Sequence, residues 1–228
     1  MMLIETFTLT AFQQHTRVVA CEVTGKAICI DPGERCDELV DFIKRNGLTL
    51  QAIALTHGHL DHVGGTTDLS RAFPDAEILL HEDDEDLYYG LPHQPLFMGI
   101  PPAQMKAMGF DYEAPPKLTR NFQHGEVYEV GNLKFSVRHC PGHTPGHVVL
   151  AEESKRVVFT GDCLFNGTVG RSDLPGGDHE QLIGSIREHV LSLGDDFTVH
   201  CGHGPETTIG HERSNNPFLT GVYQIGKS

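Results

Sequence analysis

The first eighty positions alternate between short β-rich apolar runs and one segment of helical spacing. Leu3 to Leu9, Arg17 to Val23 and Ala27 to Ile30 are divided by turn residues such as Thr24-Gly25 and predict three strands. Asp31-Pro32-Gly33 ends the third. Cys36, Leu39, Val40 and Ile43 then share one face at helical spacing, and Gly47 stops that helix. Leu50 to Leu55 predicts a buried strand that runs straight into Thr56–His62. Gly64-Gly65 leads into a short helix, and Ala76 to Leu80 predicts another strand.

Residues 82–123 break this pattern. They open with Glu82-Asp83-Asp84-Glu85-Asp86, which predicts a solvated helix start. Pro residues, Tyr88, Tyr89, Phe97, Met98, Met105, Met108, Phe110 and Tyr112 follow. Such a stretch predicts an insertion in one domain spanning 1–228, serving as a lid or a dimer surface. Strands return at Val127 to Val130, Leu133 to Val137, Val148 to Ala151 and Val157 to Thr160. Asp178 with Gln181 then predicts a capping box. Leu182, Ile183, Ile186, Val190 and Leu193 form the apolar face of that helix, Gly194 closes it, and Phe197 to Val199 is the last strand. Two half-sets of strands, each followed by helices, predict an α/β fold with two sheets packed between helix layers.

Composition narrows the class. With 228 residues, 39% apolar and only 21% charged, the chain can bury a sizeable core. It contains no run of 18 apolar residues and is not expected to span a membrane. Met1-Met2-Leu3-Ile4-Glu5-Thr6 lacks the pattern of a signal peptide, so a cytoplasmic protein with reduced thiols is expected. A net charge of -14 without any Lys/Arg cluster argues against nucleic acid as a partner. Cys140, Cys163 and Cys201 adjoin candidate ligands and read as small buried apolar residues. Cys201, two residues before His203, is the thiol to watch.

The chemistry lies in four clusters of His and Asp. The first, Thr56-His57-Gly58-His59-Leu60-Asp61-His62, reads H-x-H-x-D-H. The others are His143 in Cys140–His147, Asp162 in Phe159–Phe165 and His203 in His200–Pro205. Each follows a predicted strand, a fixed point from which a loop can project a ligand. In the first cluster His57, His59 and Asp61 alternate, which predicts an extended loop pointing them one way while His62 turns elsewhere. Five His and two Asp exceed the four ligands of a structural zinc or the three of a catalytic one. They divide into two sites sharing one carboxylate. Two ions a few ångströms apart can hold a hydroxide between them, as hydrolases require. Such a centre is net positive, so even an acidic protein can attract an anionic substrate. There is no G-x-S-x-G, P-loop or dinucleotide fingerprint. His139, His147 and His200 read as supporting or strand residues, and His179 lies beside the late helix cap. His15, His81, His93, His124, His189 and His211 read as surface or packing residues.

These clusters, in this order, resemble the metallo-β-lactamase fold superfamily and, within it, the glyoxalase II (hydroxyacylglutathione hydrolase) family. Thr56–His62, Pro141–Thr144, Gly161-Asp162 and Gly202-His203 carry the likeness. Val169–Asp173, Gly177–His179, Leu193–Asp196, Gly202–Pro205, Glu212-Arg213 and Asn216–Leu219 resemble the short bacterial members. The resemblance implies a four-layer αββα sandwich. It implies that His57, His59 and His143 hold one metal, Asp61, His62 and His203 a second, and that Asp162 bridges them. Asp61 and Asp162 would be the catalytic carboxylates, with metal-bound hydroxide as nucleophile. Zinc is the usual ion, and iron or manganese also suits nitrogen and oxygen donors. The implied reaction converts S-D-lactoylglutathione and water to D-lactate and glutathione. The implied partner is therefore a small anionic thioester, and a homo-oligomer is a further expectation. Full-length members carry a helical C-terminal domain that helps grip glutathione, whereas 25 residues follow His203 here. Arg171 falls where the family has a basic residue near the substrate, and it could pair with a substrate carboxylate or with Asp173. Persulfide dioxygenases share the implied fold and a stretch like Gly170–Asp173, but use one iron held by two His and one Asp. Lactonases and β-lactamases are further hydrolytic alternatives.

Overall fold

Fourteen strands and eight α-helices are present in the computed structural model, which describes residues 1–97, 99, 101–109 and 112–223. Met98 and Phe110 of the expected insertion lie outside the described residues. The first half supplies β1 (Met2–Leu9), β2 (Gln14–Cys21), β3 (Lys26–Ile30), α1 (Asp37–Arg45), β4 (Thr49–Ala54), α2 (Leu60–Val63), α3 (Thr66–Ala72) and β5 (Glu77–His81). The middle supplies α4 (Glu85–Tyr89), α5 (Gln94–Phe97), α6 (Pro102–Ala107) and β6 (Arg120–Phe122). The remainder supplies β7 (Val127–Val130), β8 (Leu133–His139), β9 (Val148–Glu152), β10 (Val157–Gly161) and a small ribbon, β11 (Leu164–Phe165) with β12 (Thr168–Val169). It ends with α7 (His179–Ser185), β13 (Thr198–Cys201), β14 (Thr207–Thr208) and α8 (Ile209–Asn215).

Two six-stranded sheets form, ordered β1-β2-β3-β4-β5-β6 and β14-β13-β10-β9-β8-β7. The first is antiparallel through β3 and parallel from β3 to β6. Its parallel strands bury both faces, so they read as continuous apolar runs. Alternation then sorts side chains into layers. Val18, Ala20, Cys29 and Ile53 pack outward against Leu39, Ile43 and Leu69 of the helices. Val19, Cys21, Ile28 and Ala54 pack inward against Phe135, Val137, Leu150 and Phe159 of the second sheet. Val149, Ala151, Val158 and Val199 meet Leu182, Ile186 and Ile209 on the far side. The result is the expected αββα sandwich. No helix among the described residues is long and apolar enough to cross a membrane.

Several local expectations need correction. The second strand stops at Cys21 because Gly25 N–H donates to Cys21 O at 2.8 Å and turns the chain early. The Asp178 cap forms, with Gln181 N–H donating to Oδ1 at 2.9 Å, but the helix widens into a π-turn over Ile186–Val190. The end of the 82–123 stretch is β6, paired parallel to β5 within the first sheet. The acidic run is not uniformly solvated, because Asp84 is fully buried.

Candidate metal centre

The ligand clusters lie at the strand ends, and the fold brings all seven side chains together. His57 and His59 follow β4, His59 on extended backbone. Asp61 and His62 lie in α2, so helical turning sets their directions, not the alternation of an extended loop. His143 sits between β8 and β9, Asp162 directly after β10, and His203 just beyond β13. Ligand-type atoms of His57, His59 and His143 lie within 4.8 Å of one another, and so do those of Asp61, His62 and His203. Asp162 stands between the groups. Its Oδ1 is 3.2 Å from His62 Nε2, and its Oδ2 is 3.7 Å from His143 Nε2 and 3.5 Å from His203 Nε2.

Backbone shape makes this approach feasible. A Cβ at Gly202 would sit against Asp162 Oδ1 and 2.9 Å from His62 Cε1. Asp31 has φ of 52°, a left-handed conformation uncommon outside glycine and typical of strained functional loops.

The residues fit divalent metal ions. Buried His57 Nε2 has no hydrogen-bond partner, and such an orphaned atom is rare without a ligand. The donors are imidazole and carboxylate, which suit zinc, iron or manganese. Burial, reinforced by neighbouring imidazoles, holds His57 far below the ordinary value and His59 down at about 3, so both are neutral donors. Burial alone would lower His62, but the Asp162 and Asp61 carboxylates hold it well above. His203 is likewise raised, by its bond to Asp61 and the nearby Asp162. Burial would raise Asp162, but His62 and His203 hold it low. Protons on the second group thus balance the carboxylates where a cation would.

A supporting ring orients the donors. His62 Nδ1 donates to Asp31 Oδ2 at 3.0 Å, and Asp31 also accepts from Thr56 N–H and Oγ1–H, each at 2.7 Å. His143 Nδ1 donates to Arg171 O at 2.7 Å, and His203 Nδ1 to Phe12 O at 3.0 Å. Carbonyl or carboxylate acceptors of this kind fix the tautomer of a ligating imidazole. Of the supporting histidines, His147 stacks on His57 and its Nε2 accepts from Asp162 N–H at 3.0 Å. His200 stacks on Phe159, and His139 Nε2 donates to Pro145 O at 2.7 Å. Cys201 is buried, and burial pushes its thiol up to about 12, consistent with an apolar role.

Sequence reasoning missed four contributors. Asp31 reads only as a turn residue. Asp84 reads as part of an exposed acidic run, yet it accepts from Gly58 N–H, Gly146 N–H and Thr144 Oγ1–H at 2.6–2.8 Å. It thereby ties the first ligand loop to the His143 loop. Gln94 accepts from Leu60 N–H and donates to Gly58 O, bracing the same loop from α5. His15, read as surface or packing, donates its backbone N–H to Gly202 O at 2.7 Å, and its side chain places Nε2 2.8 Å from Gly204 O beside His203. A polar residue whose partner lies far along the chain leaves no periodic signal.

The centre opens into a cavity of about 420 Å³. Its walls include Phe12, Leu87, Phe165, Leu174 and Pro175, with His59, Asp61, His143, Asp162 and His203 among the lining residues and Arg171 beside them. Arg171 donates to both Asp173 carboxylate oxygens at 2.8 Å, and both side chains are more than half exposed.

Comparison with known proteins gives a consistent placement. A family model described as the metallo-beta-lactamase superfamily matches residues 9–203. Hydroxyacylglutathione hydrolase GloC of Haemophilus influenzae is 41% identical over 216 residues, covering 95% of this chain and 97% of that protein. The structure of BLEG-1 B3 metallo-beta-lactamase aligns with a TM-score of 0.84 at 33% identity, covering 96% of this chain and 100% of the other. TTHA1623 in a di-iron-bound form aligns at 0.81 with 37% identity, covering 94% and 100%. ETHE1 from Myxococcus xanthus aligns at 0.75 with 24% identity, over 96% and 85%, a likeness of fold.

Proposed function

The chain belongs to the metallo-β-lactamase superfamily, and we propose that within it the protein hydrolyses glutathione thioesters, with S-D-lactoylglutathione the first substrate to test. One observation carries the reading. The Asp61–His62–His203 group faces His57–His59–His143 across Asp162, an arrangement suited to two ions and surplus to a one-iron dioxygenase. The full-length similarity to GloC supports the thioester class.

The seven donors would hold two divalent ions, with Asp162 shared. When bound, the metals would supply an acidified water and a Lewis acid for the substrate carbonyl. The chain's own residues do the rest. Asp31, the Arg171 carbonyl and the Phe12 carbonyl hold His62, His143 and His203 in their donor tautomers. Phe12, Leu87, Phe165 and Leu174 give the thioester an apolar seat and exclude bulk water. The Arg171 guanidinium at the cavity would anchor a substrate carboxylate by exchanging its Asp173 partner. A thiol has a pKa of about 8.5, so a thiolate leaves near neutral pH without a general acid.

The test is hydrolysis of S-D-lactoylglutathione by purified protein, with metal content measured on the same sample. Turnover that is lost on chelation and restored by metal supports the reading. His59→Ala should abolish turnover and lower the metal content. A single iron with oxygen consumption on glutathione persulfide would overturn it, and efficient hydrolysis of a β-lactam or lactone in place of the thioester would move the protein to another hydrolase class.

A further inference from the structure

A second group of metal-type side chains lies outside the central seven. His81 ends β5, His139 ends β8, and Asp83 follows two residues after His81. Their ligand-type atoms lie within 4.8 Å of one another. The two imidazoles stack face to face, with centroids 4.0 Å apart and planes 7° from parallel. Asp83 Oδ2 is 3.6 Å from His81 Nδ1 and 3.9 Å from His139 Nε2. His81 is buried, whereas Asp83 is half exposed and His139 partly so. An ion could therefore enter from solvent and meet a fixed ligand behind two adjustable ones.

We propose that His81, Asp83 and His139 form a peripheral binding site for one exchangeable divalent transition-metal ion, such as Zn²⁺ or Ni²⁺. Two imidazoles and a carboxylate, with water completing the shell, match the ligand preferences of these ions. The assignment holds whatever substrate the central site takes.

The geometry also gives the site a consequence. Lone pairs lie in the ring planes, so parallel stacked rings cannot both aim at one ion. Capture requires one ring to turn, and His139 is the less buried of the two. Its Nε2–H now donates to Pro145 O at 2.7 Å, on the loop that carries His143. Turning His139 gives up that bond. Asp83 in turn precedes Asp84, which clamps Gly146 and Thr144 of the same loop. Occupancy of the peripheral site therefore couples to the loop that holds a central ligand.

The experiment titrates the metal-loaded wild-type protein with Zn²⁺, and separately with Ni²⁺, by calorimetry and equilibrium dialysis. The expected result is about one ion taken up beyond the central complement. Asp83→Asn and His139→Asn should each abolish that extra ion, and Asp83→Asn, which leaves the His139–Pro145 bond in place, should do so with the central metal retained. Asp83 is exposed enough that its substitution leaves the fold intact, which circular dichroism checks. In histidine-labelled NMR spectra, Zn²⁺ should shift the His139 ring signals of the wild type and leave those of Asp83→Asn unmoved. Absence of an extra ion in the wild type, or an unchanged extra ion in both variants, would overturn the site. Neither readout depends on catalytic turnover, so failure here is separable from failure of the thioesterase reading.

Discussion

Asp31 Oδ2 lies 3.0 Å from His62 Nδ1, and this contact decides which nitrogen of His62 faces the centre. With Nδ1 committed as a donor, Nε2 is left for a metal. Asp31→Ala would also strand Thr56 N–H and Oγ1–H, at about 1–3 kcal/mol for each buried group left unpaired. Loss of an outer partner typically costs about 10- to 100-fold in metal affinity or activity. Metal titration of Asp31→Ala checks this, and affinity equal to wild type would remove Asp31 from the orienting role.

Gly202→Ala tests how closely the last strand must approach the centre. The added methyl would press on Asp162 Oδ1 and His62 Cε1. The φ of Gly202 lies outside the left-handed range, so the backbone itself tolerates alanine. The expected outcome is reduced metal content and turnover with an unchanged circular dichroism spectrum. Normal loading would mean that the carboxylate can move aside freely.

Asp84→Asn replaces one of two accepting oxygens by a donor, although three donors point at them. Hydrogen bonds to a charged group contribute about 1.5–3 kcal/mol each, so a loss of about 3 kcal/mol is expected. Urea denaturation would measure it. Because Asp84 joins the His59 and His143 loops, metal affinity should fall with stability.

At the cavity mouth, Arg171→Ala should raise KM about tenfold for an anionic thioester with little change in kcat, the pattern of lost uniform binding. Stability should hardly change, since the Arg171–Asp173 pair is exposed. Asp173→Asn removes the competing carboxylate and should lower KM. Opposite directions in these two variants are the signature, and a drop in kcat alone would assign Arg171 a different role.

Metal loading should depend on pH in one direction. A ligating imidazole must be neutral. His62 and His203 are held above the ordinary imidazole value by Asp162 and Asp61, despite burial. Protons therefore compete with metal at these two residues up to and beyond about pH 6.5, the ordinary midpoint. Affinity should rise with pH through this range, with proton release on binding. His57 and His59, held low by burial, should release none. Calorimetry in buffers of different ionisation enthalpy would count the protons, and a release of zero at neutral pH would contradict the assignment.

The sequence made legible most strands around the centre and the seven candidate donors that the fold brings together. Strands that bury both faces leave continuous apolar runs, and H-x-H-x-D-H concentrates donors in a few positions. It determined the order of the ligand loops too, because each follows a strand whose end is legible as a loss of apolar character. Tertiary structure alone decided the direction of each donor. Asp61 points from a helical turn in α2, a four-residue element too short to leave a periodic signal. It also decided which polar residues support the site. Asp31, Asp84, Gln94 and His15 act through bonds to partners 25 to 189 positions away, and such pairings follow from how sheets and loops meet. The stacking of His81 on His139 has the same origin. Two strand ends in different sheets become neighbours only when the sheets pack, because apolar burial sets the distance between layers while side-chain chemistry at the rim merely follows.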